Sequence, residues 1–294
     1  MMRGAIAIGS NSTRMLAAEK EGNVLKNILR GREETRLFLG LDEEGNIQPE
    51  RLEYTAQAVC RLAAEARAHG AQEIALFATS ATRDAKNGEE LGKRIDELCG
   101  LSLQVITGEE EAGLAFRAVA GEERRLVMDI GGGSTEFTLG EKGVIAFAAS
   151  AQMGASRLLK SYPIACVSDA EEAIKEAKRV LSPLAEKILH FPMARGFIGL
   201  GGSCTTAAAI QMGRIAHGDQ VEGEIVSFSE AKRQLQLLSA LPLEERKKVP
   251  GLPPERAVHM PHGLCILIAA MELLQMDAIT VSGRNNLDGY LLST

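Results

Sequence analysis

Tryptophan is absent from the 294 residues, and aromatic side chains together make up only 4%. A surface that binds single-stranded nucleic acid needs aromatic faces on which bases stack, so this scarcity argues against that class. Cationic excess is missing too. Lys and Arg number 33 against 39 Asp and Glu, a formal net charge of −6. Nucleic acid is therefore not an expected partner, and any polyanionic ligand must be held by a local arrangement of donors. The five cysteines, Cys60, Cys99, Cys166, Cys204 and Cys265, contain no C-x-x-C pair. Their odd number and wide spacing argue against a disulfide framework and a zinc site, and predict reduced, mostly buried thiols. No long apolar run occurs: the N-terminal stretch MMRGAIAIGSNSTR meets Ser10 and Asn11 after a few apolar residues, too soon for a signal core or a membrane span. The expected location is cytoplasmic, with no membrane partner.

What is present is ordinary for a chain that folds on its own core: 45% hydrophobic and 24% charged residues, and more length than one typical domain needs. The clearest feature is an internal echo. Ile8-Gly9-Ser10-Asn11-Ser12-Thr13 recurs as Ile130-Gly131-Gly132-Gly133-Ser134-Thr135. Each copy follows a short apolar run and precedes another, with Glu21-Gly22-Asn23 or Glu141-Lys142-Gly143 turning into a third, which predicts strand, tight loop, strand, turn, strand, twice over. Helical periodicity alternates with short strands after each meander: helix over 51–69, strand over 73–79, helix over 91–99 and strand over 103–106. In the second half a helix over 170–189, a strand over 196–200, helices from Thr205 and over 263–276, and a strand over 278–281 are expected. Pro242 to Pro254 reads as an exposed loop. The predicted fold is α/β and duplicated, with domains over 1–120 and 121–294, a cleft between them, and a last helix able to pack back on the first domain. This pattern resembles the actin, hexokinase and sugar-kinase superfamily, which implies a ribonuclease H-like (actin-like ATPase) fold.

Three consecutive glycines after a strand remove every Cβ that would keep backbone amides from a ligand, and permit the positive φ values that aim those amides at one point. Gly131, Gly132 and Gly133 therefore read as an anion nest, with Ser134 and Thr135 adding hydroxyl donors. Asp129 before the loop and Glu136 after it can take a hydrated magnesium ion, which would offset the charge the nest collects. A glycine-rich hairpin can also be only a turn. The paired copy at Gly9, Ser10, Asn11 and Ser12 favours phosphate binding.

Other phosphate motifs fail. No G-x-x-x-x-G-K-[ST] loop and no G-x-S-x-G elbow occurs. Gly199-Leu200-Gly201-Gly202-Ser203-Cys204 misses the dinucleotide fingerprint at Cys204, and Gly201, Gly202 and Ser203 are expected to form a third phosphate- or nucleotide-contacting loop. Glu109, Glu110 and Glu111 open a helix, where acids suit the macrodipole; a functional role requires one of them to point into the cleft and activate water. Arg83 follows an apolar strand at the end where α/β clefts lie, and Arg14 follows the first loop; either planar fork could offset charge on a phosphoryl group, or simply lie on the surface. His259 and His262 flank Met260-Pro261, and Pro261 is expected to break the helical spacing a metal site would need. His69, His190 and His217 stand alone.

Taken together, Gly9-Ser-Asn-Ser12, Thr79-Ser-Ala-Thr-Arg83-Asp-Ala, Thr107-Gly-Glu-Glu-Glu111-Ala, Asp129-Ile-Gly-Gly-Gly-Ser-Thr-Glu136, Gly199-Leu-Gly-Gly202 and Ser282 to Leu292 resemble the exopolyphosphatase and guanosine pentaphosphate phosphatase family across essentially the whole chain. The resemblance implies that Glu111 is the catalytic base, that Asp129 and the glycines after it form the metal and phosphate loop with Mg²⁺ as cofactor, and that Arg83 contacts the polyphosphate. It also implies the two-domain form, without the C-terminal helical domains of longer members, and a possible homodimer. Two departures stand out. Ala7 occupies the position where the family usually has an aspartate, and Asp288-Gly289 replaces a frequent Glu-Gly.

The expected function is release of terminal orthophosphate from inorganic polyphosphate or guanosine pentaphosphate, by in-line attack of a water that Glu111 activates. Ala7 motivates an alternative, a polyphosphate- or alarmone-binding regulator without hydrolysis. An ATPase or kinase of the same superfamily is a third reading, for which no adenosine-holding insert is visible.

Overall fold

The computed structural model of the chain describes residues 1–192, 194 and 196–294. It comprises two compact units, Met1–Ala118 with Asn286–Thr294, and Val119–Asn285. In the first, strands β1 (Met2–Ile8), β2 (Thr13–Glu21) and β3 (Val24–Glu33) form an antiparallel meander. Helix α1 (Pro49–Ala68), strand β4 (Glu73–Ala78), helices α2 (Ser80–Asp84) and α3 (Gly88–Cys99), strand β5 (Leu103–Val105) and helix α4 (Gly108–Val119) follow. The sheet order is β3-β2-β1-β4-β5, with β4 parallel to both β1 and β5.

Period-two alternation along β1 builds two different faces. Ile6 and Ile8 join Val59, Leu62, Leu91 and Ile95 from α1 and α3, whereas Ala5 and Ala7 join Leu16, Phe77, Ile106, Leu287 and Leu291 on the other side. A central strand covered on both faces reads as a continuous apolar run, as AIAI does. Pro49 opens α1, where its missing N–H costs nothing, and Gly100, at φ +65°, closes α3 in the left-handed conformation that glycine adopts freely.

The second unit repeats this plan with β6 (Arg125–Ile130), β7 (Thr135–Glu141) and β8 (Val144–Ala151), then α5 (Ala155–Ser161), α6 (Val167–Leu189), β9 (Gly196–Leu200) and α7 (Gly201–Met212). Strand β10 (Ile225–Ser227), helices α8 (Phe228–Ala240), α9 (Leu243–Arg246) and α10 (Met260–Leu273), and strand β11 (Ala278–Val281) complete it. The last helix, α11 (Asn286–Ser293), belongs to the first unit. Reading β8-β7-β6-β9-β11 reproduces the first sheet's order, and β10 is added antiparallel at the β11 edge. The chain is thus α/β with a duplicated actin-like core. Helix α10 is buried at every position from Met260 to Met271, so its apolar residues need no polar face.

Four expectations are corrected. The helix expected from Thr205 begins at Gly201, directly after β9, so Gly201, Gly202 and Ser203 form a first helical turn and not a loop. Pro261 sits in the first turn of α10 and starts that helix instead of breaking it. The 242–254 segment is not wholly exposed: Arg246 is buried, and Gly251 lies so close to Ala209 of α7 that a Cβ there would collide with its carbonyl. Only Cys204 and Cys265 are buried among the cysteines; Cys166 is exposed and Cys60 and Cys99 are half-buried. No described helix is long and apolar enough to cross a membrane.

Phe77 fills the centre of the alanine-lined face, with its ring 5.6 Å from that of Tyr290. Phe77→Ala is expected to lower the unfolding free energy by about 3–5 kcal/mol, measured by chemical denaturation.

Candidate active site

The two Gly/Ser loops close identically. Gly9 N–H donates to the Ser12 carbonyl at 3.1 Å and Gly131 N–H to the Ser134 carbonyl at 3.0 Å, each just beyond the last paired residues, Ile8 with Thr13 and Ile130 with Thr135. The chain then returns beneath each loop and captures its carbonyls. In the second unit, Ala155 N–H donates to the Gly131 carbonyl, Ser156 and Arg157 N–H to that of Gly132, and Arg157 Nε to that of Gly133 at 2.7 Å. In the first, Phe38 and Arg36 N–H donate to the carbonyls of Ser10 and Asn11. Because C=O and N–H point oppositely across a trans peptide, fixing these carbonyls turns the amides of Gly132, Gly133 and Ser134, and of Asn11 and Ser12, to the other side. Convergent amides of this kind make an anion-binding concavity. Thr13 and Thr135, both buried, anchor the returns through Thr35 Oγ1 and the Met153 carbonyl.

Strand register places side chains in rows behind the loops. Ala7, Arg14 and Arg32 are successive cross-strand partners in the first unit, and Asp129, Glu136 and Ser150 are in the second. Equivalent rows thus carry opposite charge. Like charges in directly opposed positions are costly unless a counter-ion lies between them. Ser150 Oγ donates to Glu136 Oε1 at 2.7 Å, and Arg32 pairs with Glu34, which also accepts from Asn11 Nδ2 at 2.9 Å. Ala7 itself is buried in the apolar cluster beneath the sheet. Among the described residues, no group of three or more His, Cys, Asp or Glu side chains is arranged to hold a metal ion. Asp129 and Glu136 offer two carboxylates, which suits magnesium, since that ion keeps several waters and completes its shell with phosphate oxygens.

Gly201 stands against Asp129: it has φ +81°, and a Cβ there would collide with Asp129 Oδ1. The first turn of α7, with Gly201, Gly202 and Ser203, therefore abuts the carboxylate. The Arg256 guanidinium lies where a Cβ on Gly202 would project. Burial and the neighbouring Asp129 carboxylate both push the Cys204 thiol up, which keeps it a neutral packing residue.

Among the three glutamates of α4, the structure separates roles. Glu110 forms a capping box with Thr107: Thr107 N–H donates to Glu110 Oε2 at 2.7 Å, and Glu110 N–H to Thr107 Oγ1 at 3.1 Å. Glu109 is exposed, whereas Glu111 is only 8% exposed, and its Oε2 stands 3.9 Å from Arg83 Nη1. Arg83 Nη1 also donates to the Ile106 carbonyl at 2.8 Å; its Nη2 is buried with no hydrogen-bond partner among the described residues, as is Asn11 Oδ1. Buried donors and acceptors in this condition are rare, and a bound ligand or an ordered water can complete the set.

His262 is a core residue, its ring nitrogens 3.2 and 3.0 Å from the carbonyls of Val258 and Tyr162. Burial holds its imidazole down to about 4, against those two carbonyls and with the Arg246 guanidinium adding to the depression. His69, His190 and His217 are exposed. Sequence reasoning missed Gly154, Arg157, Arg32 and Arg256; a glycine between β8 and α5 was the only local signal, because the contacts that give these residues a role join segments distant in the chain.

Two outcomes test this geometry. Gly154 packs so closely on the backbone of Gly132 and Gly133 that a Cβ would overlap it; Gly154→Ala is expected to cost about 1–3 kcal/mol of stability by denaturant titration and to weaken phosphate binding. Because His262 titrates lower folded than unfolded, the unfolded chain takes up the proton first as pH falls. Stability is then fully present above about pH 6.5 and declines by about 3 kcal/mol towards pH 4, a slope that His262→Gln should flatten in pH-dependent unfolding.

Comparison with known proteins agrees with this architecture. The model of the Ppx/GppA phosphatase family matches residues 15–294. A guanosine-5'-triphosphate,3'-diphosphate pyrophosphatase from Vibrio parahaemolyticus is 33% identical over 287 residues, covering 95% of this chain and 56% of its own; the chain spans about half the length of the curated relatives it matches. Among solved structures, an exopolyphosphatase from Cytophaga hutchinsonii superposes with a TM-score of 0.90 at 26% identity, covering 100% of this chain and 97% of its own. The Aquifex aeolicus Ppx/GppA enzyme does so with a TM-score of 0.84 at 28% identity, covering 100% and 99%. With its duplicated sheets, paired amide loops and family match over nearly its whole length, this chain belongs to the Ppx/GppA phosphatase family.

Proposed function

We propose that the chain hydrolyses terminal phosphoanhydride bonds, releasing orthophosphate from inorganic polyphosphate or from a guanosine pentaphosphate-type nucleotide. The observation that carries this reading is the Glu111–Arg83 pair: a buried carboxylate at a helix start beside a guanidinium whose buried Nη2 has no partner among the described residues. A carboxylate so placed serves as general base, and a planar fork with a spare donor offsets charge on equatorial phosphoryl oxygens.

In this reading the amides of Asn11 and Ser12 and of Gly132, Gly133 and Ser134, with Ser10, Ser12, Ser134 and Arg14, bind phosphate oxygens, while Gly9, Gly131 and Thr135 close and anchor the loops. Asp129 and Glu136 hold magnesium, which would neutralise charge on the bound phosphates. Glu111 takes a proton from water as its oxygen attacks the terminal phosphorus; the bridging P–O bond breaks, and its electron pair leaves with the shortened chain. No covalent intermediate is required. The names of the relatives support both substrate types. A cytoplasmic location and a homodimer, expected from the sequence, complete the proposal.

The test is phosphate release from long-chain polyphosphate, short-chain polyphosphate and guanosine pentaphosphate with Mg²⁺. Glu111→Gln should lower kcat by roughly 10²–10⁴-fold, and Arg83→Ala by roughly 10²–10³-fold. Ligand binding without release from any substrate would sink the hydrolase reading in favour of a binding protein, with Ala7 in place of a metal-holding acid as its cause.

A further inference from the structure

Helix α4, which carries Glu111, is held from behind by α11. Gly289 of α11 lies so close to α4 that a Cβ there would collide with the Leu114 carbonyl and approach Ala118 N at 3.1 Å. Leu114 is three residues beyond Glu111, one helical turn along the same helix. Leu287 and Leu291 on either side of Gly289 press into Ala5, Ala7, Ala18 and Phe77 of the sheet, so α11 is wedged between sheet and α4. At the opposite end of this contact, Arg117 Nη1 donates to Ser293 Oγ at 3.3 Å.

The wedge is oriented by an ion pair between a buried carboxylate and the solvent-facing Arg30. Asp288, adjacent to Gly289, is 2% exposed and takes a two-pronged contact from Arg30 of β3, Nη1 to Oδ2 at 3.1 Å and Nη2 to Oδ1 at 2.6 Å. A planar fork on a carboxylate fixes angle as well as distance. The pair therefore sets the rotation of α11 about its own axis, and so the face, bare at Gly289, that meets α4. Without it α11 could still bury its leucines and keep the Arg117–Ser293 hydrogen bond, but a single bond does not fix rotation as a planar fork does.

We infer that Asp288, Arg30 and Gly289 are positioning residues for Glu111, a latch that sets the placement of α4 against Arg83. The inference rests on the reading of Glu111 as the base. An error on the order of 1 Å in such a group costs roughly 10²-fold in rate, so the latch acts on kcat and leaves substrate binding alone.

The experiment measures phosphate release, kcat and KM, and thermal unfolding for Gly289→Ala, Asp288→Asn and Asp288→Glu, each alone and combined with Glu111→Gln. Gly289→Ala and Asp288→Asn should lower kcat roughly 10- to 100-fold with KM within about twofold. Asp288→Glu, which keeps the charge, should recover most of the rate. In the Glu111→Gln background neither should lower the residual rate further, because the group they position has lost its role. A proportional further loss in that background, or an undiminished kcat in the folded latch variants, overturns the inference while leaving Glu111 as base. Undiminished release by Glu111→Gln overturns both readings. If Gly289→Ala does not fold, Asp288→Asn against Asp288→Glu decides by the same criteria.

Discussion

The direction of a few peptide planes governs what this molecule can bind. Strand pairing brings the chain to a four-residue loop, but a loop alone leaves its peptides free to turn either way. The return segment settles it: the amides at the start of α5 and the Arg157 side chain hold the carbonyls of Gly131, Gly132 and Gly133, and the facing amides are aimed as a consequence. The cost of ordering those glycines, large because glycine has most freedom to lose, is met by hydrogen bonds on the side away from any ligand. An anion bound there would meet donors already in place, with little reorganisation.

Duplication supplied this device twice, and side-chain register then made the copies different. The same strand positions carry Ala7, Arg14 and Arg32 in one sheet and Asp129, Glu136 and Ser150 in the other. One row favours anions and the other favours a cation, although the backbones beneath them are equivalent. Ala7 fits its surroundings, because the face it occupies is built of small residues that let α11 approach the sheet. The packing of that face and the position of Glu111 are thus connected through the same helix, a link between core composition and chemistry that runs through α4.

Helix α4 also shows how neighbouring acids of one kind acquire different roles. Glu109, Glu110 and Glu111 are chemically alike, and each suits a helix N-terminus. Capping consumes Glu110, solvent surrounds Glu109, and the turn of the helix buries Glu111 beside Arg83. The separation follows from the 100° step between successive helical residues and from which direction the sheet lies.

The sequence by itself determined the duplicated α/β plan, the paired meanders and the two loops, because these depend on local information: apolar periodicity, turn residues and runs of glycine. It also displayed six ordered segments that resemble the family. It could not show that Gly201 opens a helix against Asp129, that Pro261 begins α10, that Arg246 and Gly251 are buried, or that Gly154 and Arg157 orient the second loop. Nor could it show that Glu111 alone of the three glutamates is buried, or join Arg30 to Asp288 across most of the chain's length. Apart from Pro261, whose place in a first helical turn is a local preference, each of these depends on a contact between residues far apart in sequence, where neither propensity nor spacing carries a signal. Tertiary packing alone decides which backbone groups are satisfied, which charges meet and which side chain is buried where the chemistry needs it.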